Sequence, residues 1–386
     1  MGVEIKKVVS RRDLNSFIRL AFDIYRDDPT WAPDLLMDTY DKLNRKKHPF
    51  FKHANAEYFL AYKDGKVVGR IAAVDNPNHN SYWKDKVGFW GMFACINDQE
   101  TANALFDAAR DWLKNRGKDT MRGPFSFSTN DELGMLFETD GSHRYPIMPH
   151  NPMYYMDLCD KYGMQKAKDL IAFYLDLTKE INPKVLRIAN HLKEKAEEKG
   201  LTIRHLNRKQ LRKDIKTVMN IYHDAWKENW GFVPLTDVEF DSMPETLAMI
   251  TDDSLVTIVE DKKEPVAMAV AVYDIMEVTF SLRRLDRCPL WYIYIRQVMR
   301  LVWRLFIKPK NKFKRGRLLL AGVKPGYRKM GLDAFLYTLP FQAGKILGLT
   351  DAELSWELED NEPIKRAIVK MGGEVYKKFR VWDMKI

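Results

Sequence analysis

The chain has 386 residues, 46% of them apolar and 12% aromatic, which is ample for buried cores and long for a single domain. Its net charge of +10 is local: residues 282–317 hold twelve Lys and Arg against one acid, Asp286, so the rest sums to about −1, which argues against a generally basic nucleic-acid binder. Cys95, Cys159 and Cys288 are too far apart for a disulfide framework or a Cys-based zinc site, and Met1–Ser10 lacks the apolar run of a secretory signal, so a reducing cytoplasm and no metal are expected.

Ser10, Arg11, Arg12 and Asp13 read as a capping box, and Leu14, Phe17, Ile18, Ala21 and Tyr25 follow at helical spacing, which predicts a helix over Arg11–Arg26. Tyr58–Tyr62 and Val67–Val74 flank an Asp64-Gly65 turn and predict a hairpin. A strand over Phe89–Ile96, a helix over Ala102–Asn115 and a strand over Met121–Phe127 complete the first half. The Lys- and Glu-rich helix Pro183–Lys199 would join this half to the next. The second half then repeats the plan: strand Leu201–His205, helix Gln210–Trp226, a hairpin of Leu255–Val259 and Val266–Val272, strand Leu318–Val323, a helix after Gly331 and a strand over Ala352–Trp356. Ile24-Tyr25-Arg26-Asp27 is echoed by Ile221-Tyr222-His223-Asp224, a repeat offset of roughly 200 residues.

Between the second strand–helix pair lies Pro325-Gly326-Tyr327-Arg328-Lys329-Met330-Gly331-Leu332, a basic glycine loop. The first amides of a helix have no intrahelical acceptor and face the positive end of its dipole, so this order of buried strand, glycine loop and helix suits a diphosphate, with Arg328 and Lys329 adding charge-assisted bonds. The first half has Asn97-Asp98-Gln99-Glu100 at the same point, and two acids there would repel a diphosphate.

Two polar clusters are candidates for proton transfer. Gly123–Gly134 packs Ser126, Ser128, Thr129, Asn130, Asp131 and Glu132 into one loop, which is either a surface turn or a site in which Asp131 or Glu132 is a general base beside Asn130, facing the cleft between the two halves. Met148–Tyr155 supplies His150 as a base or proton shuttle, or as a structural histidine, and Tyr154 beside it. The segment Pro289–Lys308 carries Arg296, Arg300 and Arg304 four apart among Trp, Ile, Val, Met, Leu and Phe. Three arginines at about 2.5 to 3.5 kcal/mol each make a membrane-spanning helix costly, so an interfacial helix, or a buried one with paired arginines, is expected.

The loop Arg328-Lys329-Met330-Gly331-Leu332-Asp333 resembles the Arg/Gln-x-x-Gly-x-Gly/Ala loop of the GNAT superfamily of acyl-CoA N-acyltransferases, and the strand Ala352–Trp356 followed by Asn361 and a helix resembles the next part of that fold. Over nearly the whole chain, segments such as Arg26–Pro33, His48–Glu57, Gly123–Glu132 and Asn229–Thr236 resemble a bacterial tandem-GNAT family that includes ceramide synthases. The resemblance implies an α/β chain of two tandem GNAT folds, each a mixed sheet flanked by helices: residues 1–178 degenerate, 179–200 a linker helix, and 201–386 binding acyl-CoA, with a basic insertion at 282–317. It implies coenzyme A contacts from Val323, Gly326, Tyr327, Arg328, Lys329, Met330, Gly331, Leu332, Asp333 and Asn361. It also implies an acceptor site bordered by Ser128, Tyr154, Trp226, Asn229, Trp230 and Phe232, the aromatic segment being otherwise a packed hinge. Two departures stand out: Asp333 replaces a small residue, and Ile368 stands where many members carry a tyrosine general acid. The activity implied is transfer of a long-chain acyl group from acyl-CoA to a long-chain amine of the sphingoid-base type, at the cytoplasmic membrane face through 289–308. A small-amine or protein acetyltransferase and a non-catalytic scaffold are the alternatives.

Overall fold

The computed structural model describes residues 2–242, 244–307 and 313–386, so Lys308, at the end of the expected basic helix, and 309–312 of the expected insertion lie outside the described residues. The chain forms two compact units, one of Met1–Leu170, Val278–Val302 and Lys377–Ile386, the other of Ile171–Glu277 and Trp303–Tyr376.

In the first unit the capping box forms as written: Ser10 accepts from the Asp13 amide at 3.1 Å and Asp13 accepts from the Ser10 amide at 2.9 Å, starting the helix Arg11–Ile24. Antiparallel strands Glu4–Lys7, Asn55–Lys63, Lys66–Asp75 and Val87–Cys95 follow in order, then the helix Gln99–Lys114 crosses over to Thr120–Gly123, which pairs parallel with Val87–Phe89. Trp90, Leu105, Phe106, Ala109 and Leu113 fill the space under that helix. The expected strand Met121–Phe127 stops at Gly123. Pro124 has no amide to donate to the ladder, and the Phe125 amide instead bonds the Trp90 carbonyl at 2.7 Å. The chain's last strand, Glu374–Lys385, was not expected; its Trp382–Lys385 pair with Thr120–Gly123, and Lys377–Arg380 with Met135–Thr139. The segment expected as one basic helix is an α-helix only over Leu290–Val302. It docks on the first unit through Gln297, which donates to the Asp34 carbonyl at 3.0 Å and accepts from the Leu36 amide at 2.8 Å.

The second unit repeats the plan with Leu201–His205, Val256–Asp261, Glu264–Tyr273, Arg315–Val323 and Asp351–Leu358, the last two parallel and linked by the helix Leu332–Ile346. The helix Pro183–Glu198, expected as a connector, contributes Ala189 and Ala196 to this unit's core beside Leu201, Phe335 and Leu336.

The parallel pairing of Arg315–Val323 with Asp351–Leu358 runs only from Arg315↔Asp351 to Leu318↔Leu354. At its end sits a buried ion pair, Arg317 Nε to Glu353 Oε1 at 3.3 Å, with both side chains 2% exposed or less. Ser355 Oγ donates to Glu353 at 2.5 Å, the Tyr376 hydroxyl also donates to Glu353, and Arg317 donates to the Ser355 carbonyl at 3.1 Å. Removing one member leaves the other charge buried and uncompensated. Glu353→Ala should therefore destabilise the second unit by about 3 to 5 kcal/mol in urea unfolding, whereas Arg317→Met with Glu353→Leu should cost far less; equal losses would show that the charge itself is not at issue.

Candidate active site

The basic glycine loop of the second unit is a 3-10 turn, Pro325–Met330, followed by Gly331 at φ +71, a left-handed conformation that glycine adopts without a Cβ penalty. Gly331 opens the helix Leu332–Ile346, and no side chain caps that helix start. The first unit differs at the equivalent point: Asp98 caps the helix Gln99–Lys114 by accepting from the Thr101 amide at 3.1 Å, and Lys63 pairs with both Asp98 and Glu100 at 3.0 Å. A helix start capped by a carboxylate has one amide fewer to offer a phosphate, and the carboxylate's charge repels it.

Around the open loop, Tyr327 donates to Asp261 at 2.8 Å, Arg328 donates to the Ala225 carbonyl at 3.0 Å, and Lys329 and Gly326 are exposed. A Cβ on Gly326 would meet nothing within 4 Å. Leu332 is fully buried, so only its backbone faces the loop; Asp333 is exposed in the first helical turn and Met330 and Val323 are half-buried. Trp226 packs against the strand at Gly322, where an added Cβ would come within 2.2 Å of its ring. The Asn229 amide bonds the Trp226 carbonyl at 2.8 Å, Trp230 is half-buried, and Phe232 is a core residue packed 5.5 Å from Tyr222. Asn361 starts the helix Glu362–Lys370 and donates to Glu357 at 3.4 Å; Ile368 is fully buried.

The first unit encloses a cavity of about 120 Å³ where Val87–Cys95 and the chain after Gly123 part, lined by Tyr25, Asp34, Arg70, Glu132, Arg144 and His150 among others. Of the polar residues in the two expected clusters, it gathers Ser126, Glu132 and His150. Ser128, Asn130 and Asp131 form a self-bonded turn: the Asn130 amide donates to Ser128 Oγ at 3.1 Å, the Asp131 amide bonds the Ser128 carbonyl at 3.1 Å, and Lys42 stands 3.7 Å from Asp131. Tyr154 donates to the Cys95 carbonyl at 2.7 Å, holding the strand end.

Glu132 accepts from Arg144 at 2.9 Å, and Arg144 also pairs with Asp34 and donates to the Ala32 and Met148 carbonyls. Burial pushes the Glu132 carboxyl up, Asp34 adds to this, and Arg144 opposes both. Burial would strip the Arg144 proton, but Asp34 and Glu132 hold it on. His150 Nε2 lies 2.7 Å from Asp28 Oδ2; burial raises the Asp28 carboxyl, but the bonds from His150 and Thr30 outweigh it and bring it to about 2.

No model of a known protein family matches the chain. It is 30% identical over 393 residues to Protein YghO of Escherichia coli (strain K12), covering 99% of this chain and 95% of that one. It is 31% identical over 376 residues to the bacterial ceramide synthase of Caulobacter vibrioides (strain NA1000 / CB15N), covering 96% and 94%. Among solved structures, a tandem GNAT protein from the clavulanic acid biosynthesis pathway matches with a TM-score of 0.58 at 10% identity over 99% of this chain and 98% of that one. A GCN5-related N-acetyltransferase from Sphaerobacter thermophilus matches at 0.55 with 12% identity over 99% and 95%. The chain belongs to the bacterial ceramide synthase family of tandem GNAT acyltransferases. The duplicated fold and the acyltransferase class implied by the sequence motifs are both borne out.

In this acyltransferase the sequence motifs did not single out Asp28, Arg144 or Glu357. Asp28 lies inside Arg26–Pro33, and its partner is 122 positions away. Glu357 lies on Asp351–Leu358 past the last paired rung, and burial alone pushes its carboxyl up to about 7, with no cation among the described residues to offset this. Among the described residues no group of three or more His, Cys, Asp or Glu is placed to hold a metal.

A carboxyl raised from 4.5 to about 7 on folding binds more protons in the folded than in the unfolded chain, so stability falls as pH rises through that window. Glu357→Gln should remove this loss. Discounted for the partial exposure of the side chain, the variant should gain about 1 to 2 kcal/mol over wild type at pH 8 and nothing at pH 4, read by urea unfolding at both. An equal gain at both pH values would assign the effect to packing.

Proposed function

We propose that this acyltransferase moves a long-chain acyl group from an acyl-CoA thioester to the amino group of a long-chain amine of the sphingoid-base kind. The observation that carries the donor half is the contrast between the two helix starts: the Asp98 start is filled, and the Gly331 start is open, basic and reached by a loop whose Gly326 leaves free space before it. The amides of Gly326–Leu332, with Arg328 and Lys329, would hold the diphosphate. Past Leu318↔Leu354 the two strands no longer pair, so their free backbone edges would grip the pantetheine amides, and an N–H near Val323 would steady the oxyanion. Tyr327, Met330, Asp333 and Asn361 would border the donor, and Trp226, Asn229 and Trp230 the acceptor path. The name of the Caulobacter relative supports the sphingoid-base acceptor.

An amine arrives as ammonium and must lose a proton before it attacks. Of the three candidate bases, Asp131 is engaged by Lys42 and Glu132 by Arg144, whereas His150 has a ring nitrogen to spare, so His150 is the base this reading favours. No helix among the described residues is long and apolar enough to cross a membrane. On the helix Leu290–Val302, however, Trp291, Ile295, Met299 and Val302 are 43 to 65% exposed on one side, with Arg296 exposed beside them. That stripe would enter the acyl boundary of an anionic bilayer with Arg296 at the headgroups. Arg304 is engaged by Glu277 and takes no part.

The test is thiol release from palmitoyl-CoA and acetyl-CoA, each with and without a sphingoid base, on wild type and Gly326→Glu. Gly326 is the better target than Gly331, whose left-handed φ and 3.0 Å approach to Leu192 would confound folding with binding. Release that requires the long-chain amine and is lost in the variant is expected; no release with either donor from folded protein would overturn the reading. Cosedimentation with anionic vesicles should be lost in Trp291→Glu with Met299→Glu, and binding unchanged in that variant would remove the stripe from the account.

A further inference from the structure

Asp28 is not used by the reading above, and its surroundings are unusually specific. Its Oδ2 meets His150 Nε2 at 2.7 Å, while its Oδ1 accepts both the Thr30 amide at 2.8 Å and the Thr30 hydroxyl at 2.6 Å. Tyr25 meets His150 at two points: its hydroxyl donates to the His150 backbone carbonyl at 3.1 Å, and its ring stands edge-on to the imidazole with centroids 5.5 Å apart. The side chain is 6% exposed and lines the first unit's cavity. A carboxylate accepts only, so the nitrogen it faces must carry the proton, and the other nitrogen keeps a lone pair. Nδ1 has no protein partner among the described residues. The other charged groups on the cavity wall, Asp34, Glu132, Arg70 and Arg144, make no hydrogen bond to the ring: Arg144 holds Asp34 and Glu132, and Arg70 donates to the Phe17 carbonyl.

We propose that Asp28 is the positioning residue of this acyltransferase: it holds His150 as the Nε2–H tautomer, so that Nδ1 is the atom that takes the proton from the acceptor's ammonium group. The inference rests on the amine-acylation reading and adds the atom and its orienting group. One N–H bond of the ammonium breaks, the proton moves to Nδ1 and the free amine becomes the nucleophile; the imidazolium returns its proton to water, and the second amine proton leaves with the thiol.

Thr30 makes the claim sharply testable. In Asp28→Asn the amide oxygen stays at the Oδ1 position, because turning it would set the amide NH2 against the Thr30 N–H. The NH2 group then faces Nε2, which must become the acceptor, and the proton moves to Nδ1. The tautomer is inverted at nearly unchanged shape, the situation in which an Asp-to-Asn change at a histidine has cost about 10⁴ in kcat elsewhere.

The experiment is imidazole 15N NMR at pH 8 on the full chain, paired with steady-state kinetics. Wild type should show His150 protonated on Nε2, and Asp28→Asn on Nδ1, with kcat down by about 10² to 10⁴ and the donor KM unchanged. In a His150→Gly background without imidazole, adding Asp28→Asn should cost nothing further, because Asp28 acts only through the ring, whereas activity restored by free imidazole should fall when Asp28→Asn is added; a merely structural role would give additive losses without imidazole. Wild-type His150 protonated on Nδ1, or Asp28→Asn with unchanged tautomer and kcat, overturns the proposal. If wild type transfers no acyl group at all, the amine-acylation reading falls on the kinetics, while the tautomer measurement still decides whether Asp28 sets the ring.

Discussion

The second unit depends on where two parallel strands stop pairing, and a buried charge sets that point. Arg317 and Glu353 face each other one rung before the last, and the guanidinium reaches past the last rung to the Ser355 carbonyl. The first carbonyl beyond the ladder thus has a side-chain donor, and the strands are free to part. Burying such a pair costs several kcal/mol per ion unless its remaining hydrogen-bonding capacity is met. Here Ser355 and Tyr376 meet it, both on Glu353. The network does not need to add stability to be useful: it fixes the opening at one residue, and the glycine loop and the free strand edges inherit their places from it.

Duplication supplied two copies of one plan, and electrostatics at a single turn separates them. A helix start holds either its own carboxylate or someone else's anion. Asp98 settles the matter in the first copy, with Lys63 neutralising Asp98 and Glu100 in turn. In the second copy a glycine occupies the same point, and the loop before it is basic. The first copy holds a cavity where its own strands part, with charges of both signs on its wall.

Much of this was legible in the sequence because it is local. The capping box at Ser10, the Asp64-Gly65 hairpin, the strand–loop–helix order around Gly331 and the acids at Asp98 and Glu100 all sit within a few residues of what they act on. What was not legible comes from long-range pairing. Glu132 read as a free base because nothing near it in sequence is cationic; Arg144, twelve residues on, takes it. Arg304 read as part of a basic stripe, but Glu277 takes it, so periodicity alone overstated the stripe. The last strand's Trp382–Lys385 belongs to the first unit, a pairing across some 260 residues that no pattern of alternation announces.

Long-range pairing also sorts the candidate bases. A carboxylate beside a guanidinium is stabilised in its charged form, and taking a proton would forfeit that attraction; were Glu132 to take one, the buried Arg144 would be left with Asp34 as its one ionised partner. A histidine beside a carboxylate is in the opposite position, because gaining a proton strengthens the interaction it already has. Asp28, held ionised far below neutrality, is bonded to the ring through Nε2, whereas Glu132, raised by burial and by Asp34, is held by Arg144. Two acids and one histidine line the same cavity, and what separates them is the sign of the partner: both acids are paired with the Arg144 cation, the histidine with the Asp28 carboxylate.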